Sequence, residues 1–330
     1  MRVNVNQTKS LKDWLSTSLA VRLWLWLAIS LTLSLTLFRD FWVSLPTMLS
    51  PDWVFGQNHA SSWGVLTLCL IFLWLKRKEV RKGMSGSAGL KNKNSKMKFA
   101  FYILNFESLL GIALVVGAVL MPSSGDFLVF QVLLAWLGVF IMIFGKKAAR
   151  IPAILLVIYG FAISFPLAIE RFAEEAYART VIIPLTGLMN VMGYPWHIEG
   201  QWAHWVSTGG EPISVVITAA CAGPSTMGVF IALFVLMMLD MPLPPKKAVG
   251  LFLFGVVGTW VQSFIRLIFL VLVGYYLGKD ALWTAHYWTI YILFPLWYLF
   301  FAYLYFRQAG RLPGAGRKPE LEYTLVTETQ

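Results

Sequence analysis

Apolar residues in this chain gather in blocks of about 17–25 positions, the length of helix needed to cross roughly 30 Å of hydrocarbon. Eight such blocks are present, at 21–38, 58–75, 99–121, 127–145, 151–169, 221–241, 248–274 and 286–306. The pattern predicts an all-α polytopic membrane protein with about eight transmembrane helices. One long interval interrupts it. Residues 170–220 open amphipathically, with Glu170, Arg171, Glu174 and Glu175 among apolar neighbours. They predict an interfacial helix, then a loop containing Gly and Trp, then the β-branched run Ile213–Thr218.

Composition supports the class. Residues AVILMFWYC make up 58% of the chain and charged residues only 13%, outside the range of a soluble domain. The net charge of +11 is unevenly placed, and its placement predicts orientation. With the N-terminus in the cytoplasm, 22 of the 27 Lys and Arg fall on that side. Both termini are therefore expected in the cytoplasm. So is the basic segment 76–98, whose Gly/Ser/Lys-rich part 79–98 reads as a flexible linker. The charge is a topology signal and an attraction to anionic lipid; it gives no reason to invoke nucleic acid. No cleavable signal peptide is expected, because polar and mixed residues precede the first block and no small-residue site follows it. Three regions result. They are a five-helix membrane region (1–169), an extracytoplasmic segment with a three-helix membrane core (170–306), and a disordered tail (307–330).

The chain has no phosphate-cradling glycine loop and no Cys/His set at metal spacing, so no cofactor or metal is expected. It does have a cysteine beside a helix start, in Thr218-Ala219-Ala220-Cys221-Ala222-Gly223-Pro224. Proline favours the first helical turn, so Pro224 marks the outer end of a span, and Cys221 lies just outside it. There the helix dipole and unpaired N–H groups favour thiolate. The other cysteine, Cys69, lies inside the second span and reads as a small buried hydrophobe.

Arg266 falls within the seventh span, on a stripe with Thr259, Gln262 and Ser263 at helical spacing. An arginine in hydrocarbon costs at least a few kcal/mol and marks a functional site by default. Gly255 and Gly258 lie near the stripe and permit close packing. His286 opens the eighth span on the same outer side. His197, His204 and His59 are extracytoplasmic too, and His197 or His204 is an alternative base.

Cys-x-Gly at the outer start of a helix, Arg in the next span and His opening the last resemble the exosortase/archaeosortase family. Its members are membrane cysteine transpeptidases that process C-terminal sorting signals of secreted proteins. The likeness is specific over roughly 210–306. It departs at Ala222, where the family usually has Ser, and at Ser263, where it has Asn. The resemblance implies Cys221 as nucleophile, Arg266 as the second essential residue and His286 as the third. It further implies a cell-membrane location with an extracytoplasmic site. The implied partners are exported proteins ending in a short motif, a hydrophobic helix and a basic cluster, with lipid as environment and one candidate acceptor. Two competing classes are a secondary transporter, suggested by Glu107 with Asn105 and Ser108 in the third span, and a non-catalytic scaffold. Glu107 lies in the opposite leaflet from Cys221, and neither a second acid nor an inverted repeat accompanies it.

Overall fold

In the computed structural model the chain divides into two compact units, residues 1–173 and 174–330. The structure describes residues 5–54, 59–89, 106–121, 125 and 127–310. Asn105, residues 90–98 and the tail beyond 310 lie outside the described residues.

Among the described residues the first unit consists of helices: α1 (Val5–Leu37), α2 (Arg39–Met48), α3 (Pro51–Val54), α4 (Ala60–Leu75), α5 (Arg77–Gly89), α6 (Phe106–Leu120), α7 (Phe127–Phe144) and α8 (Lys146–Phe172). Residues 79–89, expected to be part of a flexible linker, instead belong to the helix α5, turned by 60° from α4. Its first turns hold good helix formers and a Lys76–Glu79 ion pair at 3.3 Å. Gly83 then packs against the backbone of Ala148, where a Cβ would come within 2.9 Å of Ala148 Cα, and Met84 is buried. A contact between distant segments thus outweighs a linker-like composition. Glu107 Oε1 accepts from the Lys146 N–H at 3.5 Å, in the first turn of α8. Cys69 is buried, its thiol 3.6 Å from Leu155 O.

The second unit runs α9 (Glu174–Val191), β1 (Trp196–Glu199), β2 (Trp202–Val206), β3 (Pro212–Val216), a 3-10 turn (Ala219–Ala222), α10 (Pro224–Asp240), α11 (Pro245–Leu277) and α12 (Lys279–Ala309). The stretch expected as loop before Ile213 is instead two strands of a three-stranded antiparallel sheet in the order β1-β2-β3. Its register pairs Trp196 with Trp205 and Trp205 with Ile213. Alternate side chains explain it. Ala203, Trp205 and Ile213 are buried in one cluster with Val181, Leu185 and Met189 of α9 and Leu267 and Val271 of α11. His197, His204 and Ser214 occupy the opposite, outward face. The amphipathic helix expected near 170 begins at Glu174, and its buried positions Ala178, Val181, Ile182, Leu185 and Met189 follow helical spacing.

Five helices among the described residues are long and apolar enough to cross a membrane, or six if the bent pair α4–α5 is one span. α6 and α10 are apolar but shorter, at 15 and 17 residues. The molecule is thus a predominantly helical membrane protein carrying one small sheet.

Candidate active site

Cys221 sits in the 3-10 turn between β3 and α10. The turn ends at Gly223, whose φ of +83° is the left-handed conformation that glycine alone adopts freely. A side chain there would also collide with Ser263 Oγ of α11. Pro224 then starts α10 at its first position. The Gly-Pro pair therefore turns the chain sharply and holds the cysteine turn against α11. The thiol is half-buried. Its polar neighbours are Thr218 Oγ1 at 3.9 Å and Val216 O at 4.0 Å.

Arg266 is only 4% exposed and lies on the inner face of α11 with Thr259 and Ser263. Those two hydroxyls bond back to their own helix, at Gly255 O (2.8 Å) and Thr259 O (3.2 Å). Thr259 also accepts from Trp297 Nε1 at 3.0 Å. Gln262 is less buried than Thr259, Ser263 and Arg266. The stripe is therefore divided: its hydroxyls fasten helices, while the arginine reaches outward from its helix. Gly255 and Gly258 allow this closeness, since side chains there would overlap Phe230 and Trp297.

The guanidinium is held by α12. Arg266 Nε donates to Thr289 Oγ1 at 3.2 Å, and Nη2 lies 3.4 Å from His286 O. Nη2 is also 3.3 Å from His286 Nδ1 and 3.5 Å from its Nε2. Cys221 and Arg266 lie within electrostatic range of each other. Cys221 packs in the same cluster as Leu267, the next residue on α11.

The other histidines fall elsewhere. His204 Nδ1 pairs with Ser214 Oγ at 2.7 Å, and His197 Nε2 with Glu199 Oε1 at 3.2 Å, both on the outward face of the sheet. His59 belongs to the first unit and stacks on Trp53 with centroids 3.9 Å apart. Of the four, His286 is the one that touches Arg266. Thr289 is a site residue that sequence reasoning missed, although it stands one turn after His286 on the same helix face. Among the described residues, no group of three or more His, Cys, Asp or Glu could hold a metal ion.

A membrane helix bundle with a half-buried thiol in electrostatic range of a buried arginine, itself held against an imidazole, has the chemical parts of a cysteine enzyme. A model of the transmembrane exosortase family (Exosortase_EpsH) matches residues 53–304 of the 330. The chain belongs to that family, which is one of membrane cysteine transpeptidases. Comparison with curated proteins and with solved structures gave no match.

Proposed function

We propose that this chain is a cysteine protease-transpeptidase of the cell membrane, with both termini and the basic segment 76–98 in the cytoplasm. Eight spans cross the bilayer, α6 and α10 among them, and the site faces the extracytoplasmic side. The depth of the site supports this. Counting roughly 20 residues of hydrocarbon from the cytoplasmic ends of α10, α11 and α12 reaches positions near 220, 265 and 289. Cys221, Arg266 and His286 all stand within about one helical turn of that boundary. Three helices counted separately agree on one level, where water and a peptide can both reach the thiol.

The substrate is an exported protein ending in a short motif, a hydrophobic helix and a basic cluster. Its helix docks laterally in the bilayer and brings the motif to the outer boundary. His286 takes the Cys221 proton, and the sulfur attacks the scissile carbonyl. Arg266 attracts the thiolate and then the oxyanion that forms on the carbonyl oxygen. The tetrahedral species collapses to a thioester as the C–N bond breaks, and the imidazolium gives its proton to the leaving amine. An acceptor amine, lipid-borne in the simplest arrangement, attacks the thioester and frees the thiol. A neutral imidazole beside Arg266 is the form able to take a proton.

The observation that carries this reading is the pairing of buried Arg266 with His286, with Cys221 in electrostatic range. A structural arginine needs acceptors but no thiol. The test is coexpression of the chain with an exported protein of that architecture from the same genome. Cys221→Ala and Cys221→Ser abolish processing on this account. Processing at the normal rate by Cys221→Ala ends it.

A further inference from the structure

Among the described residues strand β3 pairs on one side only, with β2, and its open side ends near the thiol. At one end of the β2–β3 ladder Ser207 N–H donates to Glu211 O at 2.9 Å, and at the other Ile217 N–H donates to Gln201 O at 2.8 Å. Backbone groups alternate in direction along a strand, so the odd-numbered residues of β3 face β2. Ser214 and Val216 therefore turn their N–H and C=O to the open side, and both residues are exposed. On that side Val216 O lies 4.0 Å from Cys221 Sγ. The opposite edge of the sheet, β1, packs against α9, with Trp196 Nε1 donating to Thr186 Oγ1 at 3.2 Å. Neither Ser214 nor Val216 carries the charge that commonly blunts an exposed edge.

We infer that the recognition segment of the protein substrate binds this open edge as a fourth strand, bonded through the backbone of Ser214 and Val216, which delivers its scissile carbonyl to Cys221. This rests on the transpeptidase reading above and adds where its substrate lies. The occupant is an extended peptide because the motif must bridge a folded exported domain and a membrane helix while exposing one peptide bond to the sulfur. Strand addition supplies affinity through main-chain bonds and leaves selectivity to alternate side chains. A substrate N–H that bonds Val216 O at about 2.9 Å shares that oxygen with the sulfur, so the adjoining peptide carbonyl comes within reach of attack.

Direction follows from the anchoring of the sheet. The β2–β3 turn is tied to the outer end of α11 by Thr208 N–H to Tyr275 O at 2.8 Å. Glu211 Oε2 accepts from the Lys279 N–H at 3.1 Å. Gly223, past the other end of β3, abuts Ser263. From Tyr275 to Ser263 the helix descends about 18 Å, and β3 descends beside it. A substrate that enters from outside and ends in a membrane helix runs the same way. The added strand is therefore parallel to β3.

Two measurements test this with a coexpressed exported protein whose processing requires Cys221. Ser214→Pro removes one outward N–H and leaves the β2 ladder intact, which an edge strand tolerates. It lowers kcat/KM by about tenfold, the worth of one strong hydrogen bond. Cys221 keeps its reactivity toward a small thiol reagent, which shows that the site has folded. Undiminished processing by Ser214→Pro overturns the inference. The second measurement does not depend on that variant. In a Cys69→Ala, Cys221→Ala background, Ser214→Cys is oxidised with substrates carrying single cysteines through the motif. Strand pairing concentrates the disulfide at the one substrate position opposite Ser214, because its neighbours point to the other face and the next same-face Cβ atoms lie about 7–8 Å away, beyond bridging distance. Disulfides spread evenly through the motif, or only between two copies of the enzyme, overturn the inference. Such results leave the nucleophile untouched, whereas processing by Cys221→Ala removes the transpeptidase reading itself.

Discussion

Arg266 Nη2 lies nearly equidistant from the two ring nitrogens of His286, 3.3 Å from Nδ1 and 3.5 Å from Nε2. The guanidinium thus lies across the imidazole instead of at the end of a single lone pair, while its Nε is spent on Thr289. One planar cation fixes two side chains of α12 and remains in electrostatic range of Cys221. Lysine cannot do this, because a single ammonium has neither the planar fork nor the reach to both partners. Arg266→Lys is therefore expected to lower the rate of substrate processing by on the order of 10²–10³, as the loss of an oxyanion donor does elsewhere. Processing assayed by gel shift of a coexpressed substrate checks this.

Thr289 acts through Arg266. It is 8% exposed and accepts the Nε bond at 3.2 Å. Thr289→Val keeps the shape but leaves a buried guanidinium N–H without that acceptor, at a cost of about 1–3 kcal/mol. The expected outcome is a lower unfolding midpoint in detergent together with reduced processing, and Thr289→Ser restores both.

Gly223 carries two constraints. Its φ of +83° disfavours any L side chain by about 1–2 kcal/mol. A Cβ would also overlap Ser263 Oγ and crowd Thr226 Oγ1. Gly223→Ala is predicted to destabilise the second unit and displace Cys221. Adding Ser263→Gly to it relieves the overlap and recovers part of the loss, since the backbone cost remains. Thermal unfolding of the single and double variants measures both contributions.

The two thiols differ in access. Cys69 is 6% exposed inside α4, whereas Cys221 is half-buried at the turn before α10. A membrane-impermeant maleimide added to intact cells is expected to label the protein once. Cys221→Ser abolishes the label and Cys69→Ser does not. Labelling that requires permeabilised cells contradicts the proposed side of the site.

Much of the site was legible because polar groups in apolar helices are expensive and seldom accidental. That reasoning singles out Arg266, and the geometry of a Gly-Pro helix start singles out Cys221. Thr289 escaped it, because a threonine in a helix can satisfy itself on its own backbone and so carries no such signal. Which of His286, His197 and His204 lies against Arg266 is visible only in three dimensions. His197 and His204 sit on strands whose register turns them to the outward face, and strands of four or five residues between tight turns leave little pattern in sequence. The helix at Arg77–Gly89 was hidden for a different reason. Its Gly and Ser residues read as linker, yet Gly83 is there to let α5 approach α8. How many helices cross the membrane is also poorly encoded, since 15- and 17-residue apolar helices fall just short of a full span.

A thioester between Cys221 and the substrate is open to attack by neutral hydroxylamine. Added during processing, it intercepts a thioester and leaves a hydroxamate at the new C-terminus of the cleaved protein, which mass spectrometry detects. That product is expected, and Cys221→Ala is expected to lose it together with all cleavage. Continued cleavage with no hydroxamate at any hydroxylamine concentration would contradict the thioester, because the bond would then be broken without an acyl-enzyme.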